Sequence, residues 1–318
     1  MKEKCLSFSL ALLLCITFFP LLFSCGSGDA QDTGDTVEFT DALGREVRVK
    51  RNPKRIAALL GSFADVWSLS GGELCAAAED AWEDFSLSLP DATDLGGAHS
   101  PSLELLIASS PEFVLASASV ASNLEMREPL EALGITVAYF DVDNFEDYLA
   151  MLDICTEITG RRDLYLQNGL QIKEKIELIK KEYASLDIPE SERRVLLLRA
   201  SSSSVKAKGS VGTVLGEMLS DMGCVNIADG NYSLLENLSV EAVILEEPRH
   251  IFVVTMGSDT EKAKKSLENM MNENPAWGTL SAVKEGRLHV MDKTLFNLKP
   301  NARWDVSYEK LYEALTKE

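Results

Sequence analysis

RDLYLQNGLQIKEKIELIKKEYASL, residues 162–186, is the stretch on which the fold turns. Ile172, Ile176, Ile179, Tyr183 and Leu186 recur at spacings of four and three, with charged residues between them. That is the pattern of one amphipathic helix. Gly169 is an internal glycine, and Asp187, Ile188 and Pro189 mark the helix end. At ~1.5 Å per residue the helix reaches ~36 Å, long enough to run past two lobes.

Working outward, strands alternate with helices on both sides. Upstream, Val37–Thr40 and Val47–Val49 read as short strands around a turn at Asp41–Gly44, followed by buried strands at Arg55–Leu60, Phe113–Ala116 and Thr136–Phe140. Helices fall at Ala64–Leu69, Leu103–Ala108, Glu125–Leu133 and Phe145–Ile158, and Asp80–Ser100 reads as a long irregular loop. Downstream, strands at Arg194–Arg199, Val225–Ile227 and Ile251–Thr255 alternate with helices at Val211–Met222, Val240–Leu245 and Thr260–Met271. The expected fold is α/β, two Rossmann-like lobes with mostly parallel sheets joined by one long α-helix. The expected division is an N-terminal lobe over 37–161, a connecting helix over 162–187 and a C-terminal lobe over 188–318. Roughly 280 folded residues suit two lobes better than one.

The chain start gives the compartment. Lys2 and Lys4 precede an apolar run from Leu6 to Phe23, the layout of an export signal. On length alone the run also fits a membrane span. Its end, Leu22-Phe23-Ser24-Cys25 followed by Gly26-Ser27-Gly28, resembles the lipobox of bacterial lipoproteins. The resemblance implies a signal over 1–24 and a lipid on Cys25; an ordinary signal with an incidental cysteine is the other reading. Residues 25–36 are too polar to bury a core and read as a flexible tether. Losing Lys2, Lys4 and Glu3 with the signal takes the formal charge from -19 to -20. So acidic a chain lacks the clustered cations that phosphate binding needs, which excludes nucleic acid as a partner. The protein is therefore expected outside the cytoplasm, held at the cell membrane by the lipid on Cys25 while its body stays in water. Cys75, Cys155 and Cys224 are scattered and odd in number. They form neither a disulfide framework nor a metal spacing, and read as small buried hydrophobes.

A weak repeat links the halves. Ser102-Leu103-Glu104 leads to Pro111 and Phe113-Val114-Leu115, and Ser239-Val240-Glu241 leads to Pro248 and Ile251-Phe252-Val253. In both, Pro follows Glu by seven residues before a buried strand. Helix capping accounts for each Glu separately, but not for their use at equivalent places. This block, together with Thr40-Asp41-Ala42-Leu43-Gly44-Arg45, Pro53-Lys54-Arg55-Ile56, Leu130-Glu131-Ala132-Leu133-Gly134-Ile135 and Trp277–Arg287, resembles the periplasmic binding proteins that serve ABC importers of iron siderophores, haem and cobalamin. The resemblance implies two lobes on a rigid helix, a monomer, and partners in an ABC permease dimer and its ATPase. It also implies that Glu104 and Glu241 dock into permease arginines, a job suited to carboxylates that bind Arg bidentately. One helical connector also implies only modest closure on ligand binding.

The ligand is expected between the lobes, at loops that follow strand C-termini. Candidates are Ser62, Phe63, Trp82 and Phe85 from the first lobe, and Arg199, Ser201, Ser202 and Lys206, with Lys208, from the second. Arg303 and Trp304 join them from the tail. Aromatics for an apolar face and cations for carboxylates or catecholates suit a chelated metal, with ferric siderophore preferred and haem or cobalamin as alternatives. Each aromatic could equally be core, and each lysine an ordinary solvated charge. His99, His250 and His289 are far apart in sequence and flanked by no carboxylate at ligand spacing, so no resident metal or cofactor is assigned. No dinucleotide fingerprint, Walker loop or Gly-x-Ser-x-Gly elbow appears. An enzyme on this scaffold is thus the lesser reading, as is a surface scavenger without a permease.

Overall fold

The computed structural model describes residues 36–257 and 259–317. The signal, Cys25 and nearly all of the tether lie outside the described residues. No described helix is long and apolar enough to cross a membrane.

The described chain opens with an antiparallel hairpin, β1 (Thr36–Thr40) and β2 (Glu46–Lys50), in which Val37 faces Val49. The turn between them explains the Thr-Asp-Ala-Leu-Gly-Arg segment. The buried Asp41 carboxylate accepts from the backbone of Leu43, Arg45 and Tyr139 and from the Arg45 guanidinium, whose Nη2 is 2.6 Å away. Burial works against this charge, but the hydrogen bonds from Arg45 and Tyr139 hold the carboxyl below its usual range. Gly44 takes φ +74° to close the turn.

The first lobe is built on β3 (Ile56–Ala58), β4 (Ala76–Ala77), β5 (Thr93–Asp94), β6 (Phe113–Ser117) and β7 (Thr136–Phe140). They form a wholly parallel sheet in the order β5-β4-β3-β6-β7. The second lobe is built on β8 (Arg194–Ala200), β9 (Val205–Lys208), β10 (Val225–Asn226), β11 (His250–Thr255) and β12 (Leu288–Val290). Here β10-β8-β11-β12 is parallel, and β9 folds back antiparallel on the outer half of β8. The expected α/β class with mostly parallel sheets is the one found, and β9, β12 and the short strands β4 and β5 are additions to it.

Alternation along the strands divides the apolar residues into three cores. Ala57, Leu59, Val114 and Ala116 bury an outer face in the first lobe, under Leu106 and Leu130. Leu196, Leu198, Ile251 and Val253 do so in the second, under Val243, Leu267 and Trp277. The residues between them, Ile56, Ala58, Phe113 and Leu115 with Val195, Leu197, Phe252 and Val254, belong to one inner core common to both halves.

The stretch quoted at the outset is helical over Arg162–Tyr165 and Gln171–Ala184, with a π turn at Leu166–Leu170 between them. The turn sits where Gly169 packs so closely on helix Phe145–Thr159 that a Cβ would lie 2.7 Å from Leu149 Cδ1. Tyr148 Oη donates to the Asn168 carbonyl at 2.7 Å and Asn168 Nδ2 donates to the Leu69 carbonyl at 2.9 Å, which anchors the widened turn. Ile172, Ile176 and Tyr183 are buried as the spacing predicts, and Ile179 packs partly against the core. Leu186 is exposed, because the helix stops at Ala184, short of the turn that carries it inward.

The long helix does not run alone. Helix Trp304–Thr316 lies along it, with Lys175 to Asp305 at 2.6 Å and the Tyr183 and Tyr312 rings 6.3 Å apart. The segment before that helix returns to the first lobe. Lys293 pairs with Asp84 at 2.7 Å, and Asn301 Nδ2 donates to the Ser62 carbonyl and to Asp65 at 2.9 and 2.8 Å.

Candidate ligand cleft and docking surface

The parallel strands of each sheet end on one side, and the loops leaving those ends meet across the two halves. Lys293 follows β12 and Asp84 follows β4; Asn301 and Ser62 likewise come from helical turns beyond β12 and β3. This is the seam at which an open α/β sheet presents a ligand site.

On the first lobe the seam is acidic and aromatic. The segment after β4, expected as an irregular loop, opens with a short helix, Asp80–Glu83; Trp82 within it and Phe85 beyond it are half-buried, and the Trp82 indole packs against the inner core. Asp80 has a buried Oδ1 without a partner; burial pushes its carboxyl up, Asp84 adds to that, and a hydrogen bond from the Gly61 backbone opposes it. Only glycine fits at 61, since a Cβ there would lie 2.5 Å from the Ala81 nitrogen. Burial likewise raises the Asp65 carboxyl against the hydrogen bond from Asn301. His99 is exposed in the same loop region, beside Asp80.

On the second lobe the seam is basic. Arg199, the residue before the end of β8, is half-buried and faces Lys206 across the β8–β9 pair. Ser201 and Ser202 sit at the hairpin tip, where Ser201 Oγ accepts from the backbone of Ser203 and Ser204. The lysines thus belong to a strand, although the sequence reads as a loop there.

Two candidates are corrected. Phe63 is 1% exposed and sits edge-on to Phe140, 6.2 Å between centroids. Trp304 is fully buried, edge-on to Phe145 at 6.1 Å. Both fill the inner core and offer no surface to a ligand. Ser62 is also buried, and its carbonyl is taken by Asn301, while Arg303 is exposed near Asp65 and Asp292. Two cavities of about 470 and 530 Å³ lie against the long helix, lined by residues such as Lys180, Asp221 and Glu177; no candidate ligand residue lines them.

The sequence reading missed other groups. Tyr232, 79% exposed, opens helix Tyr232–Asn237 after β10, and Met256, 46% exposed, follows β11 directly. The strand-end rule that selected Arg199 selects them too. The reading also missed that β11 and β12 bring His250 and His289 together, Nδ1 to Nε2 3.2 Å, stacked on Phe252. Burial, then the neighbouring His289, Arg287 and Arg249, lowers His250 to about 3.

Glu104 and Glu241 are both exposed in the first turn of a short helix, Leu103–Ala108 and Val240–Glu246, that leads into β6 and β11. These strands hold equivalent places in their sheets, next to β3 and β8. The caps are the serines: Ser102 Oγ accepts from Leu105 N and Ser239 Oγ from Ala242 N, each at 3.3 Å. Helix capping therefore does not require the carboxylates. Ser239 Oγ donates to Glu241 at 2.9 Å, and this bond, after that from the residue's own backbone N–H, holds its carboxyl low. Exposed Leu105 and Ile107 flank one Glu, and Ile244 and Leu245 the other.

The pattern of the periplasmic binding protein family matches residues 56–295, from the first strand of one sheet to beyond the last strand of the other. The chain belongs to that family. As a periplasmic binding protein it works outside the cytoplasm and binds a solute for transport. Among solved structures it is similar to SirA of Staphylococcus aureus complexed with staphyloferrin B, at 20% identity over 89% of this chain and 99% of that one, TM-score 0.69. It is similar to the petrobactin-binding protein YclQ of Bacillus subtilis, at 18% identity over 89% and 99%, TM-score 0.70. A third is IsdE of S. aureus complexed with heme, at 18% identity over 83% and 99%, TM-score 0.68. At these identities the likeness is one of fold. Comparison with the curated proteins gave no match.

Proposed function

We propose that this periplasmic binding protein is the lipid-anchored substrate-binding component of an ABC importer. It captures a ferric siderophore between its lobes and passes it to a permease dimer. The observation that carries the importer role is the matched pair, Glu104 and Glu241. They are exposed carboxylates on equivalent helices before equivalent strands, with the capping work already done by serines. Two separated carboxylates fix orientation on a dimer better than one. The cleft reading is supported by the chemistry at the seam, with Trp82 and Phe85 on one side and Arg199, Lys206 and the Ser201–Ser202 tip on the other. Such a set holds an anionic chelate by stacking and charge. Three structurally similar proteins are a staphyloferrin B complex, a petrobactin-binding protein and a heme complex, which supports a metal chelate or macrocycle as the ligand.

Anchoring is the role of Cys25, with the signal cut before it and residues 25–36 as tether. Cys25→Ser is expected to move the protein from the membrane fraction to the soluble one. Haem is the second ligand reading, and exposed His99 beside the cleft acids is the residue that favours it. Titration with ferric siderophores, haemin and cobalamin tests the ligand. The siderophore reading expects saturable quenching of tryptophan fluorescence by a ferric chelate and no shift of the haemin absorption band. A shifted band lost in His99→Ala sinks it in favour of haem.

A further inference from the structure

After β12 the chain crosses from the second lobe back to the first, and it is fixed there in two different ways. Helix Lys293–Phe296 belongs with the second lobe. Met291 N just before it donates to the Val253 carbonyl at 2.8 Å, and Leu295 and Phe296 lie in the inner core beside β11. The turn Asn301–Arg303 packs on helix Gly61–Leu69 of the first lobe. Residues 297–300 are therefore a strap between the lobes.

The far end of the strap is an anchor. Asn301 is fully buried at φ +53°, a backbone that a residue other than glycine keeps only where its surroundings hold it. Its side-chain amide donates to both the Ser62 carbonyl and Asp65. Burial lowers the Lys299 ammonium on the strap, and the charges of Asp143, Asp141 and Asp147 in the first lobe oppose that.

The near end is held by charge. Lys293 Nζ lies 2.7 Å from Asp84 Oδ1, with the two side chains 16% and 25% exposed. Among the described residues this is the one ion pair that joins the lobes without passing through the long helix. Salt weakens a pair exposed to this degree but leaves the buried Asn301 bonds alone. Beside the long helix nothing answers it. There the groove of about 530 Å³ is walled by residues 144–147 of the first lobe and by Glu217, Ser220 and Asp221 of the second. The charged residues of both walls are acidic, and among the described residues no ion pair or hydrogen bond spans them.

We infer that the Lys293–Asp84 pair is a charge latch that sets how far the seam opens, with the strap over 297–300 as the pivot. A body held at one firm point and one breakable contact swings about the first when the second gives way. The latch belongs to the lobes themselves and acts whatever the cargo is.

The test needs no ligand. Spin labels are carried on non-natural residues at positions 91 and 290 of the full chain, where Asp91 and Val290 are exposed and each is close in sequence to one partner of the latch. The distance between them is measured by pulsed electron resonance. A short distance should dominate at about 0.05 M salt, and at about 0.5 M the ratio of open to shut molecules should rise about threefold. Lys293→Met should show that rise already at low salt and respond little to more. Lys293→Arg, which keeps the charge, should match the parent. A distance unmoved by salt in the parent overturns the inference without any variant. So does a Lys293→Met distance equal to the parent's at low salt, or a Lys293→Arg seam as open as that of Lys293→Met.

Discussion

Laid side by side, the lobes share a scaffold and differ in what leaves it. Strand order β4-β3-β6-β7 in the first repeats as β10-β8-β11-β12 in the second, with a Ser-capped helix bearing Glu104 or Glu241 before the third strand in each chain order. After the strands the likeness ends. The first lobe extends its sheet with β5 and carries Asp80, Trp82, Asp84 and Phe85 in and just after the short helix between β4 and β5. The second instead folds β9 onto β8 and brings lysines there. In the proposed importer role, what is repeated faces the permease and what diverges faces the cargo. That role puts recognition of the ligand in segments that the sheets tolerate at their ends.

The comparison can be broken at several points. The largest effect is expected from Glu104→Ala with Glu241→Ala. Uptake by cells should fall about a hundredfold with ligand affinity unchanged, as fits loss of two charge-assisted contacts. Full uptake by the double variant would reduce the repeated carboxylates to ornaments of helix starts. Next is Asn301→Ala, which removes both hydrogen bonds to the first lobe. With Asp65 buried behind it, a loss of about 1–3 kcal/mol in urea unfolding is expected.

The third concerns the second lobe alone, since the first has no counterpart to His250 and His289 among the described residues. The folded values of both lie below the ordinary 6.5, His250 at about 3. The unfolded chain therefore binds protons that the folded one refuses. Stability is full above pH 6.5 and falls as pH drops below it, by at most about 1.4 kcal/mol per pH unit for His250. Arg249, Arg287 and Lys317 around the pair oppose its protonation further. Urea midpoints at pH 7 and pH 5 should differ less in His250→Gln than in the parent. The smallest effect is expected from Lys293→Met. The Lys293–Asp84 pair is partly exposed, so its loss should cost under about 1 kcal/mol in unfolding while speeding ligand release.

Much of the scaffold was legible because it is periodic. The four-and-three spacing of Ile172, Ile176 and Tyr183 placed the helix, and the apolar runs at Phe113 and Ile251 placed the central strands. The short strand β9 was not legible, because Val205-Lys206-Ala207-Lys208 carries too few apolar side chains to signal a strand. Its pairing comes from the neighbouring β8, which the local sequence does not describe. The cleft was half legible. The strand-end rule selects segments that leave one end of the sheets, but residue type could not tell Trp82, half-buried at the seam, from Trp304, fully buried against Phe145. Burial of an aromatic is decided by partners far away in the chain. The π turn at Leu166–Leu170 was invisible, since Gly169 differs from any helical glycine only in what packs on it.

The position of helix Trp304–Thr316 has a consequence for how the molecule matures. Trp304, Tyr308, Leu311 and Leu315 complete the inner core, and they follow its other residues in chain order. A chain delivered N-terminus first can cover the outer faces of its sheets early, but the long helix stays bare along one side until those turns emerge. The half-finished protein thus shows apolar surface during its passage, and closure of the inner core waits on that helix.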